Sequence, residues 1–241
     1  MTRLFHISDL HFGAEDKDAL DWFEAIVRAE APDAIVVTGD LTMRARQEEF
    51  RAAGEWLRAL NRPLTIEPGN HDLPYFDLWA RFFAPYQRYR MFKSALERPL
   101  QLVGVLIVPL KSTARFQWRL DWSKGRIGAR SLSEALALAE AASPDTTIFV
   151  ATHHPLVEPG TKARADTHGG KRALRALAAA GVDAVLTGHL HDPFDLTHEV
   201  DGRPIRLIGA GTLSERTRDT APGFNEIRIE GAGFVTTHRS A

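Results

Sequence analysis

The sequence predicts an α/β fold in which two β-sheets pack on one another between helices, in one domain spanning residues 1–241. Three observations lead there. Short apolar runs alternate with amphipathic stretches through the first half and again from residue 148, the pattern of βαβ units and a parallel sheet. The last third reads instead as consecutive strands separated by glycine-containing turns. Hydrophobic residues form 44% of the chain and charged residues 25%, which suits a buried core and argues against disorder.

Taken in order, Leu4–Ser8 is the first strand, and the helix after it carries Leu20, Phe23, Ile26 and Val27 on one face. Ala34–Val37 is apolar without interruption, as expected of a strand covered on both faces. Phe50, Ala53, Leu57 and Leu60 follow at helical spacing. Leu64–Ile66 precedes an aromatic-rich helix from about Tyr75 to Tyr89. Lys111–Gly128 holds Arg115, Phe116, Trp118, Arg119, Trp122, Lys124 and Arg126 without periodicity. It reads as a long loop, either functional or packed on the surface by its own tryptophans. Ile148–Val150 leads to a helix near Lys171–Ala180, and Val185–Leu186 leads to a loop. Asp195–Val200, Pro204–Ile208, Asn225–Glu230 and Phe234–His238 form a meander, expected to build the second sheet together with the run Leu100–Leu110.

Composition removes several function classes. With no cysteine, disulfides, thiolate metal sites and cysteine nucleophiles are excluded together. Thirty basic residues against 31 acidic ones give a net charge of −1, so no global attraction to nucleic acid or an anionic membrane is expected. No apolar window reaches the length of a membrane span. Met1–Ser8 reads as a strand rather than a signal peptide, making a cytoplasmic location the expectation.

The chemistry sits at the strand ends. Ser8-Asp9-Leu10-His11 follows the first strand, Gly39-Asp40 the second, and Gly69-Asn70-His71-Asp72 the third. Thr152-His153-His154-Pro155 and Gly188-His189-Leu190-His191 follow the strands at Ile148 and Val185. Six of the ten histidines fall in these clusters. Each cluster alone has an ordinary explanation, such as a turn, a helix cap or a buried histidine satisfied by backbone. Their shared placement at the carboxyl ends of strands, where α/β sheets form ligand crevices, favours a site. Asp9, His11, Asp40, Asn70, His153, His189 and His191 supply mixed nitrogen and oxygen donors without sulfur, suited to two transition-metal ions: manganese, iron or zinc, with cobalt also compatible. Asp40 is the candidate bridging carboxylate and a candidate catalytic residue. Such a pair would acidify a shared water and neutralise phosphoryl oxygens.

This ordered set resembles the calcineurin-like metallophosphoesterase superfamily, and the match runs from residue 4 to about 191. The resemblance implies a four-layer αββα sandwich of two mixed sheets. It also implies that Asp9, His11 and His191 hold one ion, that Asp40 bridges, and that Asn70, His153 and His189 complete the other. His71 is similar to the family's catalytic, non-ligand histidine, which steadies the transition state or protonates the leaving alkoxide. His154 would support His153 from behind, and Asp72 would orient its neighbours or cap a helix. Gly39-Asp40 continues as Leu41-Thr42-Met43-Arg44 and lacks the second Asp of the protein Ser/Thr phosphatases. The form is more similar to the class III cyclic nucleotide phosphodiesterase and glycerophosphodiesterase branch.

The expected function is therefore metal-dependent hydrolysis of small phosphodiesters, with monoesters as a second substrate type. One alternative is a nuclease that uses Arg115, Arg119, Lys124, Arg126, Lys162, Arg164, Lys171 and Arg172 with Trp118 and Trp122; near-zero net charge disfavours it. Another is a non-catalytic scaffold, disfavoured because no expected ligand is missing. Arg44, Arg46 and His168 are further residues considered for the pocket.

Overall fold

Strand β1 (Thr2–Ile7) and β2 (Ala34–Val37) show why the apolar runs are continuous. Phe5, Ile7, Ile35 and Val37 point into one hydrophobic cluster, while Leu4, Ala34 and Val36 point into another. Both faces are buried, so period-2 alternation is invisible in the sequence.

A computed structural model describes residues 1–74, 77–116, 121, 123–165, 167–218, 220–231 and 233–241. After β1 and β2 come helices α1 (Lys17–Glu30) and α2 (Gln47–Ala59), strand β3 (Leu64–Ile66), and helices α3 (Leu78–Phe83) and α4 (Gln87–Leu96). Next are β4 (Val105–Pro109), α5 (Ala129–Glu140), β5 (Thr147–Ala151), α6 (Gly170–Ala179) and β6 (Ala184–Thr187). The chain ends with β7 (Phe194–Val200), β8 (Arg203–Gly209), β9 (Gly223–Glu230) and β10 (Gly233–Ser240).

Two five-stranded mixed sheets result, ordered β10-β9-β1-β2-β3 and β4-β5-β6-β8-β7. Leu4, Val36, Phe149, Leu186, Ile208 and Ile227 meet between them. Phe5, Phe23, Leu57 and Phe92 pack the outer face of the first sheet under α1, α2 and α4. Val150, Leu132, Leu174 and Leu207 do the same for the second under α5 and α6. The architecture is the four-layer αββα sandwich.

The topology corrects the expectation of a C-terminal meander. Hairpin β7–β8 joins the second sheet, where β8 runs parallel to β6, whereas β9–β10 joins the first, antiparallel to β1. Strands β5 and β6 belong to the second sheet with β4, so the parallel strands are divided between sheets. Hairpin pairing is local, and nothing in its pattern names the sheet edge that receives it. The expected aromatic helix is also divided. Pro85 follows the α3 cap at Ala84, lacks an amide donor, and leaves α3 and α4 separate. Its predicted start, Tyr75, lies outside the described residues. Helix α5, unassigned from sequence, buries Leu132, Ala135 and Ala139 at helical spacing.

Within Lys111–Gly128 the described residues form no helix or named strand, only an isolated bridge between Arg126 and His168. Trp118, Arg119 and Trp122 lie outside the described residues. Helix α4 closes the exposed edge of β3: Tyr89 Oη and Lys93 Nζ donate to the Ile66 carbonyl at 2.7 and 2.8 Å. Among the described residues no helix is long and apolar enough to cross a membrane.

Candidate metal centre

The loops after β1, β2, β3, β5 and β6 meet at one end of the sandwich, and backbone hydrogen bonds lace them together. Asp9 N donates to Gly39 O at 3.0 Å, His11 N to Asp40 O at 2.9 Å, and Gly188 N to His153 O at 2.9 Å. His189 N donates to Asp9 Oδ2 at 2.8 Å, joining the two sheets.

Nine non-glycine residues have positive φ among those described, and five are Asp9, His11, Asp40, His189 and His191, at φ between 46° and 73°. Such conformations cost roughly 1–3 kcal/mol each and concentrate where function requires a fixed side-chain aim. Close approach also needs two glycines. A Cβ on Gly69 would lie 2.0 Å from Asp40 Oδ1, and one on Gly188 would lie 1.7 Å from Ser8 Oγ and 2.5 Å from Asp9 Oδ2. Gly188→Ala is therefore expected to displace Asp9, to destabilise the fold by about 1–3 kcal/mol, and to lower metal content. Thermal melting and metal analysis of the variant check this; parental values in both would contradict it.

The imidazoles are aimed by their other nitrogen. His153 Nδ1 is 2.7 Å from Thr38 O, His191 Nδ1 is 2.6 Å from Arg216 O, and His71 Nδ1 is 2.7 Å from Met43 O. Carbonyl acceptors assign the proton to Nδ1, leaving the Nε2 lone pairs turned inward. There they face other acceptors. Asp9 Oδ1 is fully buried without a hydrogen-bond partner, 3.1 Å from His191 Nε2 and 3.6 Å from His11 Nε2. His153 Nε2 is 3.2 Å from Asn70 Oδ1 and 3.4 Å from Asp40 Oδ2, which in turn lies 3.8 Å from His11 Nε2. Buried acceptors aimed at one another fit cations, and the donor set is oxygen and imidazole nitrogen throughout.

The electrostatics agree. Burial alone raises the Asp40 carboxyl, but the neighbouring His153, His71 and His11 bring it well below the usual carboxylate range. Asp9 is likewise held down by His191 and His11 against its burial. Burial would depress His153, yet the Asp40 carboxylate lifts it to about 9, and Asp9 raises His191 in the same way. His189, buried and beside His153, falls to about 3. The carboxylates thus favour positive charge at the Nε2 atoms, which a proton supplies there or a metal cation would supply in its place.

All eight residues expected from sequence, the seven candidate ligands and His71, converge here. His154 lies against His153 and His189, but both its ring nitrogens are engaged, Nδ1 with Ser112 Oγ and Nε2 with Ser123 O, each at 2.8 Å, which suits a supporting part beside His153. Asp72 accepts from Thr42 N, Thr42 Oγ1 and Gly69 N, so it fixes the two ligand loops; burial and Asp40 push it up to about 7. A cleft of about 320 Å³ opens over the cluster, lined by Asp40, Asn70, His71, His189 and His191 together with Lys124, Arg164, Arg216 and Arg218. Arg44, Arg46 and His168 do not line it. Arg216 and Arg218 escaped the sequence reading, because Ser214-Glu215-Arg216-Thr217-Arg218 follows no strand-end pattern.

The sequence model described as calcineurin-like phosphoesterase matches residues 2–193. The chain is 38% identical to glycerophosphodiester phosphodiesterase GpdQ of Enterobacter lignolyticus across 29% of each chain. It is 24% identical to one subunit of the nuclease SbcCD of Staphylococcus saprophyticus across 80% of this chain and 57% of that one. It is 27% identical to a cAMP/cGMP dual specificity phosphodiesterase of Mycobacterium tuberculosis across 94% and 75%. The matches to the first two span less than two thirds of those relatives' own lengths. In fold, it superposes on purple acid phosphatase from yellow lupin with a TM-score of 0.72 at 10% identity, covering 99% of this chain and 51% of that one.

Proposed function

Since this chain belongs to the calcineurin-like phosphoesterase family, we propose that it is a dinuclear metal-dependent phosphohydrolase, in one domain, that cleaves small phosphodiesters and accepts monoesters. The observation that carries the proposal is Asp40 Oδ2, which faces His153 Nε2 at 3.4 Å on one side and His11 Nε2 at 3.8 Å on the other. Asp9, His11 and His191 would hold one ion and Asn70, His153 and His189 the other, with Asp40 shared. Manganese, iron, zinc and cobalt suit this set. When bound, such ions supply an acidified water and neutralise charge on the phosphoryl group.

The remaining work falls to side chains. With its Nδ1 proton held on Met43 O, His71 would turn Nε2 toward substrate and, in its doubly protonated imidazolium form, would pass the Nε2 proton to the departing alkoxide. His71 N donates to Asp40 Oδ1 at 2.8 Å, tying this histidine to the carboxylate that would be shared between the ions. Lys124, Arg164 and Arg218 give the cleft a cationic lining that attracts phosphoester anions.

Manganese-supplemented protein is expected to hydrolyse bis(p-nitrophenyl) phosphate, to stop in chelator, and to recover when metal is restored. Protein that binds two ions yet turns over no member of a panel of cyclic nucleotides, glycerophosphodiesters and dinucleotides would contradict the proposal. A nuclease reading draws on the same cationic lining and on the SbcCD likeness. Salt-dependent binding and cleavage of labelled single-stranded DNA would favour it over the small-diester reading.

A further inference from the structure

We infer that Arg216 is a substrate-binding residue of this centre, gripping the non-bridging oxygens of the phosphoryl group alongside His71; the inference rests on the phosphohydrolase reading above.

Its main chain and side chain have separate tasks. The carbonyl accepts from His191 Nδ1 at 2.6 Å and the amide donates to Ser214 Oγ at 3.3 Å, which fixes the segment after β8 beside the Gly188–His191 turn. Arg218 reinforces that turn by donating from Nε to Leu190 O at 2.8 Å. With its backbone so anchored, Arg216 is half-buried and extends its guanidinium into the cleft. Nη1 lies 3.1 Å from His71 Nε2, 3.3 Å from His11 Nε2 and 3.9 Å from Met43 Sδ. These partners are a thioether and two imidazole nitrogens, and among the described residues no carboxylate pairs with this cation.

A half-buried positive charge with no acidic partner among the described residues, next to the histidine proposed to protonate the leaving group, is placed for an anion. The guanidinium offers five donors in a planar fork and matches phosphoryl oxygens two at a time. Nη1 can only donate, so His71 Nε2 accepts in this contact; an ester oxygen that takes up the guanidinium would free Nε2 to carry its proton, within reach of both groups. The positive charge would count most as negative charge develops on the phosphoryl oxygens in the transition state.

The test uses Arg216→Ala and Arg216→Lys in the manganese-loaded protein, read by metal analysis, by calorimetric binding of inorganic phosphate, and by ester turnover. The His191 contact uses the carbonyl of residue 216, which both substitutions keep, so two ions per chain are expected in each variant. Arg216→Ala is expected to weaken phosphate binding at least about tenfold and to lower kcat/KM by about 10²–10³-fold. Lysine should recover part of the loss, and added guanidinium ion should restore part of the alanine variant's turnover. Phosphate affinity unchanged with both ions bound would overturn the inference, as would loss of the ions from Arg216→Ala. Should the parent bind phosphate but hydrolyse no ester, the phosphohydrolase reading fails, and the phosphate arm still decides the part played by Arg216.

Discussion

Asp40→Asn is expected to reduce bound metal from two ions to at most one and to lower kcat/KM by at least about 10³-fold. The substitution is nearly isosteric, and a side-chain oxygen can still accept from His71 N, as Oδ1 does at 2.8 Å. What disappears is the negative charge between the two halves of the centre. Two divalent ions at bridging distance repel strongly in a buried site, and among the described residues no carboxylate other than Asp40 lies within 4 Å of both His153 Nε2 and His11 Nε2. Elemental analysis after gel filtration, with steady-state kinetics in excess manganese, checks both parts. Two retained ions with turnover within about tenfold of the parent would show that the bridge is not needed.

His71→Ala separates chemistry from metal loading. Both ions are expected to remain, because the contact from residue 71 to Asp40 uses the backbone amide. Turnover of an alkyl phosphodiester is expected to fall by about 10²–10⁴-fold, the range supplied by a positioned general acid. A p-nitrophenyl ester, whose leaving group departs readily as an anion, should be affected much less. The ratio between the two substrates therefore reports the proton rather than the fold. Equal losses on both would leave His71 a binding role instead.

Much of this centre was legible because its residues sit where strands end. Asp9 and Asp40 follow runs buried on both faces, and such runs stand out as continuous apolar stretches. The pairing of hairpins was not legible: Asn225–Glu230 carries the same pattern whichever sheet edge accepts it, and only packing against Leu4 and Ala34 decides. Pro85 did mark the division of the aromatic helix, and periodicity on either side concealed it. Arg216 had no local signal. Its importance comes from a crossing between sheets that brings the segment after β8 beside the loops of Asp9 and His71. The positive φ of Asp9, His11, Asp40, His189 and His191 was equally hidden, since it reflects tertiary hydrogen bonds rather than turn-forming sequence.

Anomalous diffraction from manganese-loaded crystals addresses the arrangement itself. The expected map holds two peaks about 3.5–4 Å apart, with Asp40 Oδ2 between them, Asp9, His11 and His191 around one, and Asn70, His153 and His189 around the other. A single peak, or two peaks that do not share Asp40, would contradict the account.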